Sequence, residues 1–308
     1  MDIMLLLKTM LVISESEILK FSATAPHRYK KYRIPKRNGN GKRRIAHPSK
    51  ELKFIQRLIV NKLESILPVH DSAKAYKKGV SIKDNALAHK NTRYMLKMDC
   101  KDFFPSIEPQ LFFKVASSCG INFSNLDKEL LSNLLFYKLT RRSRLKLSIG
   151  APSSPLVSNF VMYFFDAAIY EYCSELGVNY TRYADDLTFS TNRKEVLFEF
   201  PKVISEQLKK HCNGSIKVNS IKTVFSSKGH NRHVTGITIT NDSKLSLGRS
   251  KKRTISSLIH KYSLGILTDE QKDCLRGHIS FAKFVEPAFF IRMEKKYGKE
   301  VIQSIFSD

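Results

Sequence analysis

The tetrad Tyr183-Ala184-Asp185-Asp186 lies in the run Tyr180-Thr181-Arg182-Tyr183-Ala184-Asp185-Asp186-Leu187-Thr188-Phe189-Ser190. It constrains this chain more than any other feature, because it sets two adjacent carboxylates between β-prone segments. Neighbouring side chains on a strand point to opposite faces, so both acids can serve one site only from the tight turn of a hairpin. Acids in such a turn suit a divalent metal; a plain polar turn in an antiparallel sheet is the alternative.

A third carboxylate comes from Leu96-Lys97-Met98-Asp99-Cys100-Lys101-Asp102-Phe103-Phe104-Pro105-Ser106, where Asp99 closes an apolar run that reads as a buried strand. Hard cations such as Mg²⁺ take oxygen ligands and keep positions open for substrate phosphates. Asp99, Asp185 and Asp186 at the ends of adjacent strands would supply that set. Standing alone, Asp99 would read as the cap of the following turn.

The partner class follows from charge. Across 308 residues there are 53 Lys+Arg against 28 Asp+Glu, a formal charge of +25, which points to a polyanion and most simply to nucleic acid. The charge is concentrated: residues 28–62 hold thirteen Lys or Arg and one acid, and residues 244–261 hold six and none. Five scattered cysteines with no Cys-x-x-Cys spacing fit reduced thiols in a cytosol rather than zinc or disulfides. The apolar start Met4 to Ile13 is too short to span a bilayer and is interrupted by Lys8, so it reads as a docking helix and no membrane partner is expected.

The pattern is helical to about residue 25. Tyr29 to Ile34 and Lys42 to Ala46 then read as a basic hairpin around Arg37-Asn38-Gly39-Asn40-Gly41, backed by a helix from Glu51 to Leu67. A helix is expected over 81–90, a strand over Tyr94 to Asp99, and helices over 108–138. Gly150 to Pro155 reads as a loop leading into one long buried helix, Leu156 to Tyr172. A helix near 193–211, a strand at Ile216 to Asn219, a hairpin from Val234 to Leu247 and a basic helical tail complete the pattern.

One acid near 99, a Gly-Pro-Ser loop near 150 and Tyr-Ala-Asp-Asp near 185 resemble, in order and spacing, the palm motifs of reverse transcriptases. The strings KRNGNGKRRIAHPSKELKFIQRLI, MDCKDFFPSI, GAPSSPLVSN, TRYADDLTFS and KVNSIKTVFSS look like that family's blocks. Asn85-Ala86-Leu87-Ala88-His89 and Val234-Thr235-Gly236 resemble the Asn-Ala-x-x-His and Val-Thr-Gly signatures of bacterial retron enzymes. The resemblance implies an α+β right-hand polymerase of fingers, palm with an antiparallel sheet and helical thumb, with no stretch left for an RNase H domain. Residues 1–95 would form the N-terminal helix and fingers, 96–106 and 150–240 the palm, 107–149 a helical insertion and 241–308 the thumb.

The resemblance also implies roles. Asp99, Asp185 and Asp186, with the backbone carbonyl of Cys100, would hold two Mg²⁺ for phosphoryl transfer. Phe104, five residues past Asp99, resembles the aromatic gate that rejects a ribose 2′-OH, with a core Phe beside Phe103 as the alternative. Lys36, Arg43 and Arg44 would meet the incoming dNTP, Gly150 and Ala151 would contact it through backbone, and Lys222 would steady or protonate pyrophosphate. Ser148-Ile149-Gly150 departs from the family's Pro-Gln-Gly, and Ile149 offers no side-chain hydrogen bond. Asn85, His89, Val234, Thr235 and Gly236 would recognise a cognate structured RNA, and Lys251, Lys252 and Arg253 the template–primer phosphates. The expected product is branched msDNA started from an internal guanosine 2′-OH, in phage defence beside an effector protein. A reverse transcriptase of another lineage and a non-catalytic RNA-binding scaffold are the rival readings.

Overall fold

A computed structural model describes residues 2–36, 39 and 41–307. Two helices open the chain, α1 (Ile3–Leu11) and α2 (Glu15–Thr24), the second begun by a reciprocal Ser14–Glu17 capping box. Ile3, Met4 and Leu7 are buried, so the apolar start docks on the chain's own core. There the Ile3 N–H donates to Asp127 Oδ1 at 2.7 Å.

Strands β1 (Tyr29–Pro35) and β2 (Lys42–Pro48) pair antiparallel, from Tyr29 opposite Pro48 to Pro35 opposite Lys42. Of the turn expected between them, Arg37, Asn38 and Asn40 lie outside the described residues. Helix α3 (Lys50–Leu63), capped by Ser49, ends one turn earlier than the apolar spacing suggests. A short α4 (Ile82–Leu87) leads to β3 (Tyr94–Lys101), then to α5 (Phe103–Ser106), α6 (Pro109–Ser118) and α7 (Asn125–Leu135). A two-residue pair, β4 (Tyr137–Lys138) and β5 (Leu145–Lys146), precedes the Gly-Pro-Ser loop.

The single helix expected after that loop is two, α8 (Ser154–Val161) and α9 (Tyr163–Glu175). Met162, at φ −90° and ψ 0°, breaks the run, and the bend turns both Asn159 and Asp166 toward Arg182. Next come β6 (Asn179–Tyr183), β7 (Asp186–Thr191), α10 (Phe200–His211), β8 (Lys217–Val218) and β9 (Val224–Ser227). The expected helix near 193 starts later, where Pro201 sits in the first turn of α10 and its missing N–H is no loss.

Strand β3 is the spine of the sheet. Strand β7 lies on one edge with β6 outside it; β9 pairs the other edge along Tyr94–Lys97 and β8 at Cys100–Lys101, all antiparallel. Met95, Leu96, Met98 and Cys100 are all buried, which is why this stretch reads as a run rather than an alternation.

The C-terminal part has its own apolar core. Strands β10 (Arg232–Val234), β11 (Ile237–Ile239) and β12 (Leu245–Ser246) pack with α11 (Arg249–Ser263), α12 (Asp269–Val285), α13 (Pro287–Tyr297) and α14 (Lys299–Ser307). Val234, Ile237 and Ile239 share this core with Ile255, Ile259 and Leu275, so the unit begins several residues before the expected boundary at 241. Among the described residues no helix is long and apolar enough to cross a membrane.

Candidate active site

Pairing of β3 with β7 sets Asp99 directly opposite Asp186, which puts the two side chains on one face of the sheet. Asp185 lies in the turn between β6 and β7, where Ala184 takes a positive φ of 57°. The Cys100 N–H donates to the Asp185 carbonyl at 2.9 Å and ties that turn to the end of β3. The Cys100 thiol is buried in the core, so only main chain of this residue faces the acids.

Asp99, 7% exposed, accepts from Lys222 Nζ at 2.8 Å and from Asn219 Nδ2 at 3.1 Å. That hydrogen bond, with the carboxylate charges nearby, raises the Lys222 ammonium above its ordinary range. The Asp186 carboxyl is pushed up to about 6, first by withdrawal from water and then by the charges of Asp185 and Asp99, although the residue still opens to solvent. Asp185 is raised too, by burial first, with the Asp99 charge adding to it. Such crowding suits a divalent cation: the donors are hard oxygens, and a cation relieves the repulsion that keeps the protons on. Among the described residues no three His, Cys, Asp or Glu side chains stand together at ligating separation, and Asp99 is engaged by Lys222 and Asn219.

Behind the acids lies a buried polar network that the sequence reading missed. Arg182, fully buried, donates to Asp166 through Nη2 at 2.6 Å and Nε at 2.9 Å, and through Nη1 to Asn159 Oδ1 and the Ala184 carbonyl, both at 3.1 Å. The Tyr180 hydroxyl donates to Asp166 at 2.7 Å. The signal was an Arg in an otherwise apolar strand face, which a fold must pair with an acid.

In front of the acids opens a cleft of about 1800 Å³. Of the residues expected at nucleotide, Lys36, Arg43, Arg44, Phe104, Gly150, Ala151 and Lys222 all line it, with Asp99, Cys100 and Asp185; Asp186 sits beside it. Gly150, at φ +122°, lies against β2: a Cβ there would fall 3.2 Å from the Ala46 carbonyl oxygen. The Ile149 carbonyl accepts from the Ala46 N–H at 3.0 Å, so the departure from Pro-Gln-Gly leaves a backbone joint to the basic hairpin. Tyr76, absent from the sequence reading, also lines the cleft.

The residues expected to read RNA fare differently. His89 is fully buried, and its ring nitrogens pair with Ser190 Oγ and Thr181 Oγ1, both at 2.7 Å. Burial holds its pKa down to about 3, so the ring is neutral. Asn85 is 1% exposed. Both therefore face the interior, and a direct RNA contact by either side chain is corrected: water, let alone a nucleotide, does not reach them. Val234 is core, and Thr235 and Gly236 form a turn with φ of 47° and 82°, in which Thr235 Oγ1 donates to the Ile82 carbonyl at 3.2 Å. Lys252 is bound to Glu286 at 2.7 Å and Lys251 lies over the Phe281 ring, whereas Arg253 is exposed. Of the three cations expected on phosphate, Lys252 is already neutralised by a carboxylate.

A family signature described as "Reverse transcriptase (RNA-dependent DNA polymerase)" matches residues 34–239. The chain is 46% identical to the retron Ec83 reverse transcriptase of Escherichia coli, over 94% of this chain and 93% of that one. It is 37% identical to the retron Ec73 reverse transcriptase of Escherichia coli, over 93% and 91%. Among solved structures, a telomerase from Candida tropicalis in complex with a fragment of telomeric RNA superimposes with a TM-score of 0.50 at 14% identity. That match covers 92% of this chain and 59% of the telomerase, and it is a likeness of fold, the right-hand polymerase.

Proposed function

The chain belongs to the reverse transcriptases, among the retron enzymes, and is thus an RNA-directed DNA polymerase; from that premise we propose that it copies a cognate structured RNA into branched msDNA. The observation that carries the chemistry is Asp99 facing Asp186 across β3 and β7, with Asp185 in the adjoining turn, at the floor of a cleft walled by Lys36, Arg43 and Arg44.

Asp99, Asp185, Asp186 and the Cys100 carbonyl would hold two Mg²⁺, which supply a Lewis acid for the primer hydroxyl and charge neutralisation for the leaving pyrophosphate. The chain's own groups do the rest. Arg43 and Arg44 grip the triphosphate, with Arg suited to bidentate contact, and Lys36 adds a point charge. Gly150 and Ala151 bring backbone against the nucleotide, and Phe104 crowds the position of a 2′-OH. Lys222, held on Asp99 at the edge of the cleft, would offer its ammonium to the pyrophosphate if that carboxylate were to hold a metal instead.

Priming from an internal guanosine 2′-OH, a cytoplasmic setting and a defence role beside a toxin or nuclease complete the proposal. The C-terminal unit from β10 onward acts as the thumb on the template–primer duplex, with exposed Arg253 and half-exposed Lys251 among its cations. Thr235 and Gly236 offer the turn where RNA docks, held by the Thr235 hydroxyl on the Ile82 carbonyl.

Expression with the native flanking DNA, followed by extraction of bound nucleic acid and a denaturing gel, tests this. A small single-stranded DNA that shifts after both RNase and debranching enzyme is expected, and is absent from the Asp185→Asn, Asp186→Asn double variant. Bound RNA without any DNA from the wild type refutes the msDNA proposal.

A further inference from the structure

Tyr76 departs from what its local sequence favours. It takes a φ of 60°, a region in which a bulky L-residue is strained. A glycine would adopt this conformation without strain, so the ring is held there against local preference. Neighbouring main chain does the holding. The Arg182 N–H donates to the Ser72 carbonyl and the Lys74 N–H to the Arg182 carbonyl, both at 2.8 Å, and Asn159 Nδ2 donates to the Ala75 carbonyl at 2.8 Å. The segment before Tyr76 is thereby fastened to the strand that ends in the acidic turn.

The ring does not turn into the core. Tyr76 is 53% exposed, lines the cleft, and stands edge-on to Phe104 with centroids 6.5 Å apart and planes at 67°. Phe104 in turn rests on buried Phe103. Among the described residues the Tyr76 hydroxyl has no hydrogen-bond partner, and the charges of Asp185 and Arg43 both act on it. The ring thus shares one cleft with Asp185, Arg43 and Phe104, the space that a nucleotide whose triphosphate meets Arg43 and whose α-phosphate meets Asp185 would fill.

We infer that Tyr76 is a specificity-determining residue of the polymerase, forming with Phe104 a two-ring wall against the sugar of the incoming nucleotide. The inference rests on the proposed nucleotide pocket and on Phe104 as its gate. Removing either ring widens the same space, so the two residues act as a unit on the choice between deoxyribose and ribose.

Primer extension on an RNA template with an annealed DNA primer, using dNTP and rNTP separately, tests it in Tyr76→Gly, Tyr76→Phe, Phe104→Ala and the Tyr76→Gly, Phe104→Ala double variant. Tyr76→Gly relieves the backbone strain and so keeps the fold, which thermal melts check. The expected result is an increase of about tenfold in KM for dNTP and in relative rNTP use, with kcat changed less than about threefold. Tyr76→Phe keeps discrimination within about twofold, and the double variant falls short of the product of the two singles. Unchanged KM and discrimination in Tyr76→Gly, while Phe104→Ala relaxes discrimination, overturns the inference alone. No change in either variant overturns the gate assigned to Phe104 along with it.

Discussion

Asp166→Ala tests the network behind the acids most directly. The substitution leaves the fully buried Arg182 guanidinium with only the Asn159 and Ala184 oxygens, and takes the acceptor from the Tyr180 hydroxyl. Breaking a buried ion pair from one side typically costs about 3–5 kcal/mol, a large share of the roughly 5–15 kcal/mol that holds a domain folded. With a urea slope near 3 kcal/mol/M for a chain of this size, the midpoint should fall by about 1–1.7 M. The chain has no Trp, so far-UV circular dichroism is the probe. Asp166→Leu combined with Arg182→Met removes both charges at similar volume and should regain most of that loss. Its polymerase activity should stay at least about tenfold down, because the Ala184 carbonyl has lost the donor that fixes the acidic turn. A midpoint drop below about 0.3 M for Asp166→Ala, or a double variant no more stable than the single, would refute the reasoning.

Asp186, raised to about 6 when folded and lower when unfolded, contributes stability that is fully present at low pH and lost as pH rises through about 6. The stability of the metal-free protein relative to Asp186→Asn should therefore fall between pH 4 and 6, and Mg²⁺ should raise the melting temperature more at pH 7 than at pH 5; equal shifts at both would contradict it. Lys222→Met frees Asp99 from its competing cation, so the Mg²⁺ concentration for half-maximal rate should fall while kcat falls about tenfold to a hundredfold; a higher Mg²⁺ requirement argues against the Lys222 role. Gly150→Ala adds a Cβ 3.2 Å from a backbone oxygen at a φ unsuited to alanine, and should lower stability by about 1–3 kcal/mol and raise KM for dNTP; urea melts and steady-state kinetics check both. His89→Ala should cost about 2–4 kcal/mol in urea unfolding by leaving Ser190 and Thr181 unpaired in the core, with affinity of the folded protein for cognate RNA little changed. Lost affinity at unchanged stability would restore the direct contact that its burial excludes.

The acids, the basic hairpin and the central strand were legible because each depends on local signals: a turn between β-prone runs, a charge cluster, an apolar run closed by Asp99. What stayed hidden depends on which elements meet. Nothing near Tyr76 in the sequence says that the 72–76 segment is fastened to Arg182, and nothing near Asp166 says that a helix break at Met162 turns it onto the same guanidinium. Asn85 and His89 stand four apart on a helical spacing, which establishes a shared face but not whether that face meets solvent or core. The structure resolves it as core because β6 and β7 offer two hydroxyls at the right separation to satisfy both ring nitrogens.

Those interior groups bear on the chemistry through register. Side chains alternate along a strand, so a slip of one residue between β3 and β7 would carry Asp186 away from Asp99 to the opposite face of the sheet. Three contacts hold the strands around that register, one of them made from β3 itself. His89 spans β6 and β7 by bonding Thr181 on one and Ser190 on the other, and a neutral ring suits this because one nitrogen donates and the other accepts. Arg182 clamps the end of β6 to α8 and α9, and the Cys100 N–H holds the Asp185 carbonyl at the end of β3. The opposite edge of β3 carries β8 and the turn that brings Asn219 and Lys222 to Asp99. One strand therefore receives an acid pair from one edge and a cation from the other, and their meeting point is fixed by His89 and Arg182, which do not line the cleft, together with the Cys100 main chain, which does.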